Sequence, residues 1–116
     1  RDPSIAKRPP SSNTVHQLLL TYTGYLQIET DVKSLKLKDL TATVNASPSG
    51  RDGVDALRTR GYWKMVKRDY AGAKADLVAA ADLAKAAGGD VSGAELCEIL
   101  VWIGFFNHVS YYLEGA

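Results

Sequence analysis

The sequence predicts an all-α protein: an up-down-up-down four-helix bundle preceded by an extended N-terminal arm. Three observations predict it. Apolar residues recur at steps of three and four along most of the chain after Thr14. Gly, Pro and short polar residues interrupt that pattern at residues 45–53, at Asp69 and at residues 88–92. The joints are short, and short joints bring successive helices back alongside one another.

The totals are those of one soluble-type domain. A chain of 116 residues can bury a core, hiding roughly two-thirds of the unfolded surface. A net charge of +1 with 23% charged residues signals neither bulk attraction to nucleic acid nor disorder. The single cysteine, Cys97, rules out an internal disulfide and a cysteine-based zinc site. Two histidines, His16 and His108, argue against a multi-histidine metal centre. No signal segment is visible, and Arg1 is not an initiator methionine, so a processed or trimmed chain is expected.

Residues 1–13, with Pro3, Pro9 and Pro10, have little to bury and read as an extended arm, with a single domain from 14 to 116. The arm is either a loose terminus or a segment that orders on a partner. Ser12, Asn13 or Thr14 can cap the first helix. Val15, Leu18, Tyr22, Tyr25, Ile28, Val32 and Leu35 then form a helical stripe, with Leu37, Leu40 and Val44 continuing beyond a kink near Ser34. The stretch from Leu26 to Val32 also alternates as a strand would, and the threonines around it favour strand. The length of the stripe favours helix, and an α+β arrangement remains the alternative.

Pro48 and Gly50 stop the first helix, and Ser49 or Asp52 starts the second, from about Val54 to Arg68. Its core side is Val54, Leu57, Gly61 and Met65, flanked by Tyr62 and Trp63. Asp52 and Asp55 at its start and Lys67 and Arg68 at its end complement the helix dipole. Gly61 in mid-helix costs about 1 kcal/mol against Ala, which a close neighbour would explain. Helix three turns at Asp69 and presents Tyr70, Ala73, Leu77, Ala80 and Ala84 on one face. Gly88-Gly89 ends it. Ser92 and Glu95 have capping-box spacing at the start of helix four.

Helix four, residues 95–114, is the most apolar run and is expected to be the largest contributor to the bundle. One face carries Leu96, Ile99, Leu100, Ile103, Phe106 and Leu113. The other carries Val101, Trp102, Phe105, Val109 and Tyr112. Spanning a membrane takes roughly 20 apolar residues. This run is shorter, is broken by Asn107, His108 and Ser110, and is bounded by Glu95, Glu98 and Glu114. Three companion helices cannot cover both faces unless the helix is central. Trp102, Phe105 and Tyr112 are therefore expected to meet a partner, as aromatic residues often do at interface anchors.

Arg60, Lys64, Lys67 and Arg68 fall on one side of helix two, with Arg51 and Arg58 nearby. This basic stripe is either a solvated face or a dock for an acidic partner; without a groove-reading motif, nucleic acid is not expected. Cys97 has no histidine within two turns to activate it, so it reads as a buried structural thiol rather than a nucleophile. Glu95 and Glu98 could share a proton, but near a helix start they more simply meet its positive end. His108 with Asn107 reads as a polar contact at the edge of the bundle.

The segment from Gly61 to Ala80 resembles one tetratricopeptide repeat. Gly61, Ala73, Leu77 and Ala80 stand at that family's small-small-large-small packing positions, and Asp69-Tyr70 at its turn. A solenoid needs about three copies, so the resemblance implies a single repeat-like hairpin. More loosely, the whole chain resembles the PsbQ-like extrinsic subunits of photosystem II. The resemblance is carried by Pro9-Pro10 in the arm, by Leu57-Arg58-Thr59-Arg60 and by the run from Asp76 to Ala84. It implies an up-down-up-down bundle in the plastid thylakoid lumen, with no catalytic site or cofactor.

The expected function is that of a non-catalytic accessory subunit that docks on a larger complex and stabilises it. Partner contacts are expected at Arg58, Arg60, Lys64, Lys67, Arg68, Trp102, Phe105 and Tyr112. The partners would be protein subunits, peripheral to a membrane rather than spanning it. The alternative is a small tetratricopeptide-like adaptor that binds peptide, soluble within the cell.

Overall fold

The computed structural model describes residues 23–47 and 49–114, with side chains described as far as His108. The expected arm, its boundary after Asn13, the caps at residues 12–14 and the first stripe positions Val15, Leu18 and Tyr22 lie outside the described residues. The chain divides into two compact units, Arg1–Asp31 and Val32–Ala116.

The described residues contain helices and no strand. Residues 23–32 are helical (α1). The alternation between Leu26 and Val32 loses to local hydrogen bonding: the Thr30 hydroxyl donates to the Leu26 carbonyl at 3.0 Å, and the Gln27 amide donates to Asp31 Oδ1 at 2.9 Å. Both bonds join residues four apart, which a helix brings together and an extended strand holds out of reach.

In the second unit the chain turns at residues 33–36, where Leu35 N–H donates to the Val32 carbonyl at 3.0 Å. Lys36 is extended and leads into α2, Leu37–Ala46. The expected kink at Ser34 is thus a break between separate helices. α3 spans Gly50–Val66, starting earlier than Val54, and α4 spans Tyr70–Ala87. A single 3-10 turn, Gly88–Asp90, leads to α5, Gly93–Glu114.

The joints follow the expected chemistry. At the end of α3, Arg68 takes φ +68° and its N–H donates to the Met65 carbonyl at 2.9 Å. The Asp69 carboxylate then accepts from Gly72 N–H at 3.0 Å and caps α4. Gly88, at φ +63°, closes α4 in a conformation that glycine adopts without strain. At the start of α5, Glu95 N–H donates to Ser92 Oγ at 3.1 Å and Ser92 N–H donates to Glu95 Oε1 at 3.4 Å, the reciprocal capping box the spacing predicts.

Packing is most extensive between α3 and α4, then between α4 and α5, then between α2 and α3. The centre of the second unit is therefore α4, not the more apolar α5. Ala73, Asp76, Leu77, Ala80, Ala81 and Ala84 of α4 are all buried. The physical reason is size. Alanine on two sides lets a neighbour approach closely on each, whereas a helix of large side chains holds its neighbours off. Gly61 completes the contact: a Cβ there would stand 3.0 Å from Leu77 Cδ2 and 3.3 Å from the Ala73 carbonyl oxygen.

On α5, Ile99, Trp102 and Phe106 are buried, while Leu100 and Val101 are 44% and 61% exposed. This corrects the expected division of that helix. At 3.6 residues per turn, Trp102 lies only about 60° around the helix from Ile99, on its inward arc, while Val101 lies about 160° away.

Candidate functional site

The basic stripe of α3 does not act as one surface. Its centre is turned inward onto α4. Asp76 is 5% exposed, and Arg60 grips it with both prongs: Nε to Oδ2 and Nη2 to Oδ1, each at 2.8 Å. Lys64 Nζ joins at 3.1 Å from Oδ2. A buried carboxylate with no partner would be strongly destabilising; here every oxygen has a cationic donor. The hydrogen bond to Asp76 holds the Arg60 guanidinium above its ordinary pKa. The flat two-pronged fork also fixes how far α3 can slide along α4.

Arg58 is drawn into a second network at the mouth of α3 and α5. Arg51 forms a two-pronged pair with Glu95, Nη1 to Oε1 at 2.9 Å and Nη2 to Oε2 at 2.6 Å. Arg51 Nη1 also donates to the Asp90 carbonyl at 2.9 Å. Arg58 reaches Asp55 at 3.4 Å and Glu95 at 3.8 Å. The hydrogen bond from Arg51 lowers Glu95 to about 2, with further lowering from its capping bonds to Ser92. Glu95 thus caps α5 and ties it to α3.

Glu98 is engaged by α3 rather than by Glu95. It accepts from the Tyr62 hydroxyl at 2.9 Å. Burial pushes the Tyr62 phenol well above its ordinary pKa, and the charge and hydrogen bond of Glu98 push it further. The ring of Tyr62 stands edge-on to Trp102, centroids 6.4 Å apart. Trp102 in turn meets Phe105 at 5.4 Å and Phe106 at 6.5 Å, and Phe106 meets Tyr70 at 6.2 Å. These rings are the aromatic seam that holds α5 to α3 and α4.

Of the residues expected to contact a partner, Arg58, Arg60 and Lys64 are thus engaged inside the fold. Trp102 is 5% exposed and Phe105 half-buried, so the expected aromatic face is not open; the side chain of Tyr112 lies outside the described residues. Lys67 and Arg68 are exposed, and Lys67 Nζ stands 5.4 Å from the centre of the half-buried Trp63 ring. Cys97 is exposed rather than buried, on the outward side of α5 with Leu100, Val101 and Gly104. Its position follows from the same helical angle: about 160° from Ile99 around a helix whose stripe faces inward.

Sequence reasoning overlooked a further group. Lys33, Lys36 and Lys38 alternate with Leu35 and Leu37 around the turn before α2, and all five are exposed. Trp63 Nε1 donates to the Leu35 carbonyl at 2.8 Å, which fixes that turn at the end of α3 beside Lys67. The signal available in the sequence was the run of lysines itself; only the Trp63 bond shows that it adjoins Lys67 and Arg68.

Among the described residues, no three His, Cys, Asp or Glu side chains come together in a metal-binding group. No helix among them is long and apolar enough to cross a membrane. No family model, curated protein or solved structure matches the chain.

Proposed function

We propose that the chain is a non-catalytic accessory subunit that docks on a larger assembly and stabilises it. The observation that carries this is the outward face of α5. Leu100 and Val101, adjacent and 44% and 61% exposed, sit between exposed Cys97 and Gly104. Two large aliphatic side chains held open beside small ones make a shallow surface that a partner can cover. This face replaces Trp102 as the apolar contact. Lys67 and Arg68 remain as steering charges, with Arg58, Arg60 and Lys64 holding the fold that presents them.

The assembly proposed is a photosynthetic one, photosystem II in the thylakoid lumen. Its support is the resemblance in Leu57-Arg58-Thr59-Arg60 and in residues 76–84, with the proline-containing arm. The packing of successive helices α3, α4 and α5 is compatible with the up-down bundle of that family. The test is binding of the full chain to thylakoid membranes, with a pull-down from the native source at low and high salt. Salt-released binding to photosystem II subunits is the expected result. Absence of photosystem II subunits from the low-salt pull-down sinks this assembly.

A second function has its own support. Gly61 lies against Leu77 and Ala73, and Ala73, Leu77 and Ala80 are buried, as in the small-small-large-small hairpin of a tetratricopeptide repeat. That favours an adaptor that binds a short peptide. Saturable peptide binding that needs no membrane, measured by calorimetry, would select this function over the first.

A further inference from the structure

The surface beside Trp63 carries charge that the interior ion pairs leave unused. The turn before α2 and the first residues of that helix read Lys33-Ser34-Leu35-Lys36-Leu37-Lys38. The bond from Trp63 Nε1 to the Leu35 carbonyl, 2.8 Å, holds this turn at the end of α3. There Lys67 Nζ lies 5.4 Å from the Trp63 ring centre, and Arg68 follows in a left-handed conformation that turns the chain. Lys33, Lys36, Lys38, Lys67 and Arg68 are all exposed. None of them is in an ion pair among the described residues.

Three acids close in sequence, Asp31, Asp39 and Asp69, offset only part of the five positive charges. Asp31 accepts from Gln27, and Asp69 caps α4 through Gly72. Asp39 lies in the first turn of α2, where it meets the positive end of its own helix. Within the cationic rim, Leu35 and Leu37 are 39% and 41% exposed.

Exposed aliphatic side chains ringed by lysines are unfavourable in water and too charged to pack into an apolar groove. They suit a boundary at which apolar and anionic matter lie side by side. At the surface of an anionic bilayer, lysine stems run along the apolar layer while their ammonium groups meet lipid phosphates. A tryptophan at the same level, with its ring under a lysine, is at home at that depth. Leu35 lies in the turn and Leu37 opens α2, an irregular pair that a deformable surface accepts. A folded acidic protein would have to offer two matching hollows.

We infer that this patch seats the protein on an anionic membrane surface, Leu35 and Leu37 entering the headgroup boundary and the surrounding cations meeting the phosphates. The surface deepens the docking function proposed above by naming where and on what the subunit rests.

The test is flotation of the full chain with vesicles of phosphatidylcholine alone and of phosphatidylcholine mixed with phosphatidylglycerol, at low and high salt. Binding to the mixed vesicles at low salt, release by high salt and no binding to phosphatidylcholine are expected. The triple variant Lys33→Ala, Lys36→Ala, Lys38→Ala loses about fivefold in partitioning per cation removed, about a hundredfold together. The pair Leu35→Ser, Leu37→Ser weakens binding at unchanged charge, with helical circular dichroism confirming that both variants fold. Any of three results overturns the inference: no binding to the mixed vesicles at low salt, a lysine variant that binds like the parent, or a leucine variant that binds like the parent. The vesicles contain no protein. A chain that ignores them yet still captures subunits from its native source refutes the lipid surface and leaves the docking function standing.

Discussion

At the residue scale, the side chains that decide most are the ones whose charge is turned inward. Asp76 shares its two oxygens between Arg60 and Lys64, whose side chains are only 17% and 19% exposed. Removing the carboxylate leaves two largely buried cations without their partner. Asp76→Ala is expected to cost about 2 kcal/mol, less than for a fully enclosed pair because both cations can still turn towards water. Urea unfolding should show it as a lower midpoint at unchanged slope. Glu95 is expected to govern the acid limb. Its folded pKa of about 2 lies below the ordinary value of 4.5. The unfolded chain therefore binds the proton more readily, so the stabilisation is complete above pH 4.5 and is lost as pH falls towards 2. Glu95→Gln should flatten the fall of the thermal midpoint across that window, and a variant that tracks the parent would remove Glu95 from the account. None of this pairing was legible in the sequence. The basic stripe was visible at its helical spacing, but Arg60 and Asp76 lie sixteen positions apart and on different helices. Spacing along one helix says which residues share a face; it does not say which way that face points.

At the element scale, local signals were legible and the structure bears them out. The Ser92–Glu95 box, the Asp69 joint and the glycine stop at Gly88 all depend on backbone groups within a few residues, so a short window of sequence contains both partners. Gly61 points to a close approach on propensity alone, since a mid-helix glycine needs a reason. Its reason is the α3–α4 contact. Gly61→Val is expected to destabilise by about 2 kcal/mol. The branched side chain would meet Leu77, which is wholly buried and cannot swing aside, and the backbone of Ala73. Heat or urea unfolding checks it, and a neutral result would mean that the two helices part at little cost. The length of the apolar stripe outweighed the strand-like alternation before Val32, and the helix that forms there is supported by bonds four residues along it from Thr30 and Gln27.

At the scale of the second unit, hydrophobicity pointed to the wrong centre. α5 has the greasiest sequence, yet α4 is the element both its neighbours share. Leu77 is wholly buried there, while Val101 is 61% exposed on α5. Leu77→Ala should therefore cost about 3 kcal/mol, whereas Val101→Ala should change stability by less than about 0.5 kcal/mol. Equal losses in urea unfolding would return the centre to α5. A stable but unaltered fold in Val101→Ala would also make it the clean variant with which to weaken the proposed partner contact.

The sequence by itself favoured helix along the described chain, placed the α3–α4 joint at Asp69 and the α4–α5 joint at Gly88–Ser92, and gave Gly61 a reason to face a close neighbour. Those properties are set by backbone propensity and by partners a few residues apart. Only the tertiary structure decided that α4 is central, that Arg60 and Lys64 face inward while Lys67 and Arg68 do not, and that Trp102 is core. Each of these depends on the rotation of one helix against another, which is settled by the summed fit of side chains distant in sequence.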